Sequence, residues 1–568
     1  MRAFVLSSRL TDARRRALVV AVGEDVDLMT VPNDEPLPYL GSVDAVIIDG
    51  HPAARPAEEL AGLAKWVEDG GSLLAIGAAP HGRDGFWAGL LGVTADTPHP
   101  VGEWFAKVSE ASHHEHRHGA SSHLTQRLDS EFPVVDRFEP LRLEEGAGAQ
   151  VLVGVSISFL DHAAITERSV GAGRVVTSGF GITDQALLVP AVATLLRRAL
   201  RPAGAAHCCG RVLGLGVVGY GPFGGMGYYH GTAARSTPGL EFVATCDPSA
   251  DRRKAAEADF TGVRAYEHVD ELAGDDDVEI AVIATPPAFH AELALRLLRA
   301  GKHVACEKPL CLTVAEADLL IATAAEHGRV LTVNQNRRWD PDFVAIRRAV
   351  AGGLLGEVFN IETFVGGYEH PCRAWHSEES VSGGAVYDWG SHHVDWILQL
   401  MGEPPITVQT IGHKRVWHDI TNLDQLRVRL AFADGREAEF FQSDIAAVRR
   451  PKFYVQGTAG TLVGHYRPVT FERIEPGRGF VSETAHHAEA PAELTLARYE
   501  SGYGLTETHL PVAPERRFAF HANLADHLHL GEPLAVTPES VRRVIAVLEA
   551  AHLSGADGGR TLALREGL

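Results

Sequence analysis

The chain contains no apolar run of roughly 18 residues or more, so a membrane-spanning helix is not expected. Basic residues are in deficit. The 52 Lys and Arg against 73 Asp and Glu leave a formal net charge of −21, which would repel a phosphate backbone and argues against nucleic-acid or anionic-membrane partners. That total still permits a local basic pocket for cofactor phosphates. Cysteine is sparse as well. The six, Cys208, Cys209, Cys246, Cys306, Cys311 and Cys372, lack the paired spacing of a metal site, and two fall in expected strands. No metal is expected, and free thiols in a reducing cytoplasm fit the pattern. The opening residues show no basic-then-apolar leader with a small-residue cleavage site, so a cytoplasmic protein is expected.

What is present points to a large α/β protein. With 568 residues the chain is too long for one hydrophobic core, and the length suggests three or four domains. Residues 1–202 read as one α/β unit. Asp44 to Asp49 forms a short buried strand, followed by a helix carrying Leu60, Leu63, Trp66 and Val67, and then a strand over Ser72 to Ile76. Gln150 to Val155 and Arg174 to Ser178 add strands, and Pro190 to Leu200 a closing helix. This alternation predicts a doubly wound parallel sheet of flavodoxin-like form. The small, irregular residues 203–210 read as a linker.

A second βαβ series occupies residues 211–335, and the pattern then changes. Val358 to Val365, Thr407 to Ile411, Gln425 to Phe432, Glu437 to Ser443 and Lys452 to Gln456 read as consecutive strands of an open, largely antiparallel sheet within residues 336–568. The Glu-, Ala-, His- and Pro-rich tract from Gly477 to Arg517 reads as an irregular excursion before a last helix around Ser540 to His552.

The chemistry concentrates in the second series. After the strand Val212 to Val218 comes Gly219-Tyr220-Gly221-Pro222-Phe223-Gly224, a G-x-G-x-x-G turn between a strand and a helix. Gly219 allows the tight turn, Gly221 lets the backbone approach a pyrophosphate, and Gly224 permits close helix packing, with Pro222 and Phe223 between them. The next strand ends in Asp247, where a carboxylate would take the adenosine ribose hydroxyls. It would repel a 2′-phosphate, so NAD is favoured over NADP, although Arg252 and Arg253 lie close behind.

Ala284-Thr285-Pro286-Pro287 with His290, and Glu307-Lys308-Pro309, sit at the ends of the following strands. Gly383 to Asp395, reading GGAVYDWGSHHVD, opens an apolar helix. With Arg338-Trp339-Asp340-Pro341, these segments make residues 211–568 resemble the Gfo/Idh/MocA family, the glucose–fructose oxidoreductase and inositol dehydrogenase group. The resemblance implies a Rossmann domain, an α/β substrate and oligomerisation domain, and a homo-oligomer, dimer or tetramer. It also implies catalysis by Lys308, Asp388 and His392. Asp388 and His392, four apart, would share one helix face, with His393 turned away. Thr285, Pro286 and His290 are expected to flank the nicotinamide, with Glu307 and Lys308 also among the cofactor contacts. Asn336, Arg338, Tyr368, Trp375, His376 and Asp395 are candidate substrate contacts.

In the expected chemistry His392 removes the proton of a secondary alcohol, Lys308 stabilises the developing negative oxygen, and Asp388 orients a hydroxyl or the imidazole. Three functions remain open on this reading. The first is an NAD-dependent dehydrogenase of a sugar, inositol or glycoside. The second is a glycoside-cleaving enzyme that oxidises, eliminates and reduces with tightly bound NAD. The third is a non-catalytic NAD-binding scaffold.

Residues 1–200 resemble the ThuA-like family, through Trp66 to Gly77, Ser122 to Thr125 with Phe132 to Asp136, and Val170 to Val176, and the resemblance implies a glutamine-amidotransferase-like fold. Gly77, Ser122 and Phe180 stand where that family carries histidines or a Gly-His pair, so independent catalysis is not expected there. Scaffolding, assembly or capping is the expected role. The cluster His113-His114-Glu115-His116-Arg117-His118 reads as a solvated loop.

Overall fold

The computed structural model describes the chain up to residue 564, apart from residues 8–9, 24–25, 33–34, 51–54, 82–84, 110–123, 126–127, 129, 159, 202–210, 222–224, 372–373, 476–478, 486–489 and 513–515. The expected linker and the His113–His118 cluster fall outside the described residues. The chain forms two compact units, Met1–Ala206 and His207–Leu568. No helix among the described residues is long and apolar enough to cross a membrane.

The first unit holds an 11-stranded sheet. Asp27–Val31, Arg2–Ser7, Ala45–Asp49, Ser72–Ile76 and Gly173–Ser178 lie side by side and parallel. The fully buried run Ala45-Val46-Ile47-Ile48 suits a strand covered on both faces. The helix Ala57–Glu68 turns Leu63 and Val67 into the core.

Beyond Gly173–Ser178 the sheet departs from the purely parallel expectation. Leu160–Val170, Gln150–Ile157, His99–Val108 and Glu131–Phe138 continue it antiparallel. The last of these alternates buried Phe132, Val134, Asp136 and Phe138 with exposed Glu131, Pro133, Val135 and Arg137. That is the period of a one-sided antiparallel strand, and it is the signal that a helix-alternation reading passes over.

In the second unit six parallel strands run in the order Arg264–Tyr266, Leu240–Cys246, Leu213–Val218, Ile280–Ile283, His303–Cys306 and Leu331–Val333. Numbered along the chain this is 3-2-1-4-5-6, the Rossmann order, with a crevice at the carboxyl ends where the order reverses. A nine-stranded sheet follows. Its central pair, Val358–Gly366 with Glu437–Ser443, is parallel, and all its other pairings are antiparallel. The helices Gly390–Met401 and Pro538–Ala556 pack on this sheet.

The tract expected to be irregular is instead strand. Glu493–Glu500 and Gly504–Leu510 extend the nine-stranded sheet, and Gly479–Ala485 pairs with Val469–Glu475. Leu494 and Leu496 are buried on one face, a period that the surrounding Glu and Ala obscure. A further helix, Ala519–Leu530, precedes the last one. Its Phe520, Leu524 and Ala525 join Leu215, Phe242 and Ile280 in the core of the Rossmann sheet.

One buried ion pair ties three parts of the second domain together. Lys452 Nζ lies 2.8 Å from Asp342 Oδ2, and both side chains are almost fully enclosed. The same oxygen accepts the backbone N–H of Ala492 at 2.8 Å. Removing one partner strands the other charge in the interior, at a cost of about 3–5 kcal/mol. Lys452→Ala is therefore expected to lower the unfolding free energy of the second unit by about 3–5 kcal/mol, read as a lower urea midpoint at unchanged slope in equilibrium denaturation.

Candidate active site

The carboxyl ends of the Rossmann strands frame a cavity of about 960 Å³. At one end stand Asp247, Arg252, Glu267 and His268, and at the other Lys308, Asp388, Trp389 and His392, with Gly219, Gly221 and Thr285 between them. The turn needs glycine. Gly219 adopts φ 92°, and a Cβ there would meet the Ala284 carbonyl oxygen at 2.9 Å. Gly221 also has positive φ, 39°, a region L side chains rarely adopt. Pro222, Phe223 and Gly224 of the expected turn fall outside the described residues.

Asp247 is buried at the end of its strand. Its carboxylate accepts the N–H of Gly221 at 3.1 Å and of Ser249 at 2.9 Å, with the Arg252 guanidinium 3.6 Å away. The two arginines behind it part company. Arg253 donates to the Asp247 and Pro248 carbonyls and pairs with Glu267, so it braces the loop, whereas Arg252 lines the cavity. A glycine cradle at strand ends, apolar walls from Val218 and Ala284 and a carboxylate at the second strand suit a nicotinamide dinucleotide.

At the far end Lys308 follows the strand His303–Cys306, and its bond to Pro309 is cis. The ammonium donates to Asp388 Oδ1 at 2.8 Å and to the Asp388 carbonyl at 3.1 Å. Burial pulls the Asp388 carboxyl upward, yet the Lys308 charge and hydrogen bond hold it below its ordinary pKa.

Asp388 ends the short helix Ala385–Asp388, and His392 lies in the first turn of Gly390–Met401. The expected single helix face is thus split over two helices meeting at Trp389, but both residues line the cavity. Gly390 lets the second helix approach its neighbours, since a Cβ there would come within 2.9 Å of Leu548. His392 Nδ1 is buried without a partner. Burial, reinforced by the charges of Lys308 and Arg337, pushes the imidazole well below its ordinary pKa. His393 points into the core, its ring stacked on Phe440 at 4.8 Å.

Of the other expected contacts, Thr285, Pro286, Glu307, Asn336, Trp375 and His376 line the cavity. Four do not. His290 is wholly buried behind the wall, its ring nitrogens 2.7 Å from the Pro309 and Thr285 carbonyls, so it joins two strand-end loops. Arg338 and Asp395 spend their charges on each other through two bonds of 2.8 and 2.5 Å, both side chains buried. Tyr368 is 59% exposed and bridges to Ile445, outside the cavity lining.

The sequence reading also passed over several residues. Arg337, next to the expected Arg338, is the one that lines the cavity, its guanidinium over the Trp389 ring at 5.2 Å. Behind Glu307 runs a buried chain. Asn334 Nδ2 donates to its Oε1 at 2.8 Å, and His230 Nε2 lies 3.0 Å from the same oxygen. His230 Nδ1 in turn lies 2.9 Å from His521 Nε2. Burial opposes the charge on Glu307, but His230 and Asn334 hold its carboxyl below its ordinary value. His230 follows the glycine turn by one helical turn, yet nothing in the sequence pairs it with His521, 291 residues away.

Comparison with known proteins covers the same ground. Residues 213–335 match a family model described as an oxidoreductase family with an NAD-binding Rossmann fold, and residues 343–463 match a GFO/IDH/MocA C-terminal domain. A scyllo-inositol 2-dehydrogenase (NADP(+)) of Bacillus subtilis is 26% identical over 344 residues, 59% of this chain and 92% of that protein. A 1,5-anhydro-D-fructose reductase of Ensifer adhaerens is 30% identical over 325 residues, 56% of this chain and 91% of its own. The solved structure of an NAD-binding protein from Listeria innocua superposes with a TM-score of 0.53 at 29% identity, covering 63% of this chain and 98% of that one. With the Rossmann strand order, the glycine turn and the Lys308–Asp388–His392 cluster in one cavity, the chain belongs to the Gfo/Idh/MocA family of oxidoreductases.

Proposed function

We propose that the second unit oxidises a secondary alcohol of a sugar, inositol or glycoside with NAD as acceptor. One observation carries the reading: a hydrogen-bonded ammonium–carboxylate pair and a neutral imidazole face the cavity that begins at the dinucleotide turn. The nicotinamide, when bound, supplies the hydride acceptor. The protein's part is to bind, orient and move a proton. His392, unprotonated across the neutral range, accepts the hydroxyl proton at a ring nitrogen. Lys308, held by Asp388, donates a hydrogen bond to the same oxygen as negative charge develops there. Asp388 fixes that ammonium by both its carboxylate and its carbonyl.

The NAD preference rests on Asp247, whose carboxylate faces the cofactor cavity where a 2′-phosphate would add a like charge. For the first unit we propose an accessory, non-catalytic role. At the carboxyl ends of its parallel strands Asp49 is closed off: buried Arg14, from the helix Asp12–Val22, pairs with it at 2.5 Å, and Ser7 donates to it at 2.9 Å, so the guanidinium and the carboxylate are engaged with each other. In this architecture ligands bind at that place.

Assays of NADH formation with a panel of inositols and hexoses test the reading. Lys308→Ala is expected to lower kcat by roughly 10²–10³-fold, the usual cost of losing one donor to a developing oxyanion. Undiminished turnover in that variant would remove Lys308 from the mechanism. The pH profile carries a second expectation. A lowered imidazole pKa means that His392 takes up its proton only in more acidic solution. The kcat/KM for oxidation should therefore stay level as pH falls through 6.5 and decline only below it. Asp247→Asn should narrow the preference for NAD over NADP about tenfold, measured as the ratio of kcat/KM values for the two cofactors.

A further inference from the structure

Next to the substrate end of the cavity stands an aromatic shelf that proton and hydride transfer do not use. Trp417 lies on a turn fixed from below by Asp424, whose fully buried carboxylate accepts the backbone N–H groups of Arg415 and Val416 and the ammonium of Lys414. The half-buried indole donates its N–H to the Asp444 carbonyl at 3.1 Å. Its ring meets the His370 ring at 4.7 Å and the Tyr368 ring at 6.0 Å, both edge to face. His370 is held by the Asp419 carboxylate at 3.0 Å. Tyr368 remains 59% exposed.

The shelf is joined directly to the cavity wall. Asn422 Nδ2 donates to the His376 carbonyl at 2.7 Å, and the Thr421 and Asn422 N–H groups donate to the Ser377 carbonyl. Trp375 and His376, their rings stacked at 3.6 Å, line the cavity beside Asp388. Asp444 also lies within electrostatic reach of Asp388. Burial, with the charges of Asp388, Asp424 and Glu369, pushes its carboxyl up to about 7.

A fixed aromatic surface bordered by carboxyl groups has the chemistry that receives a pyranose ring. Its C–H face packs on the aromatic face while its hydroxyls donate to the carboxylates. The charges of Asp388, Asp424 and Glu369, which together with burial already drive Asp444 towards its neutral form, would disfavour an anionic sugar here. We propose that Trp417, Tyr368 and His370 form a second sugar subsite, so that the substrate is a neutral disaccharide or longer glycoside. One ring lies at Lys308 and its neighbour on the shelf. The assignment of the first ring rests on the hydride-transfer reading above, whereas the shelf itself can be tested without turnover.

Calorimetric titration of glucose, cellobiose and maltose into the full-length Lys308→Ala protein reads binding alone. At least one disaccharide should bind roughly tenfold more tightly than glucose, the scale of a ring packed on an aromatic face. Adding Trp417→Ala should erase that difference, and Trp417→Phe should restore most of it. Tyr368→Ala, at an exposed position, should weaken disaccharide binding several-fold and keeps the test decisive if the Trp417→Ala protein misfolds. Disaccharides that bind no more tightly than glucose, or a difference that survives these substitutions, overturn the subsite. A protein that moves no hydride from any sugar yet binds disaccharides through Trp417 would end the oxidoreductase proposal and leave the subsite standing.

Discussion

The ion pair between the Lys308 ammonium and the Asp388 carboxylate is the contact on which the site is built. Lys308 hangs from the end of a Rossmann strand, and Asp388 closes a short helix of the following domain, 80 residues away. Drawn 2.8 Å apart, they bring the dinucleotide crevice and the substrate domain to one place. Both side chains are only partly exposed, so each charge is better satisfied by the other than it would be alone. The pair has an electrostatic consequence one helical turn further on. The Lys308 charge, added to burial, keeps the His392 imidazole neutral, the form in which it can accept a proton.

Around this pair the protein spends buried polar groups on rigidity. His290 joins the loops after two Rossmann strands, Arg338 and Asp395 brace the turn after the last strand against the helix of His392, and Lys452 and Asp342 join helix, sheet and hairpin. Glu307 is held by Asn334 and by His230, itself backed by His521 from the helix that returns to the Rossmann core. Each would be costly to bury alone, and satisfied networks of this kind rigidify what they surround. The proposed hydride transfer, which needs cofactor, carbinol carbon and proton acceptor in register, would depend on that stiffness.

The site and the outer shelf follow the same design. In each, a carboxylate fixes the group proposed to meet the ligand: Asp388 holds Lys308, and Asp424 holds the turn of Trp417. Prior positioning spares the entropy of ordering these groups on binding.

Much of this was legible in the chain because it depends on local backbone requirements. Positive φ at Gly219 and Gly221 admits little but glycine, and a run such as Ile280–Ile283 is buried on both faces and reads as a parallel strand. The Rossmann strands and the glycine turn could therefore be read residue by residue, while Lys308, Asp388 and His392 were named by the family resemblance and are brought to one cavity by the fold. What the chain did not reveal was direction. Arg337 and Arg338 are neighbours in one tight turn, yet the first meets the cavity and the second meets Asp395. His290 and Thr285 belong to one strand end, yet only Thr285 reaches the opening. The antiparallel half of the first sheet, the strands between Glu493 and Leu510, and the meeting of His230 with His521 were likewise decided at a distance. Local sequence sets which conformations a segment can adopt. Which side chain faces a ligand depends on partners brought together across hundreds of residues, and only the packed tertiary structure supplies them.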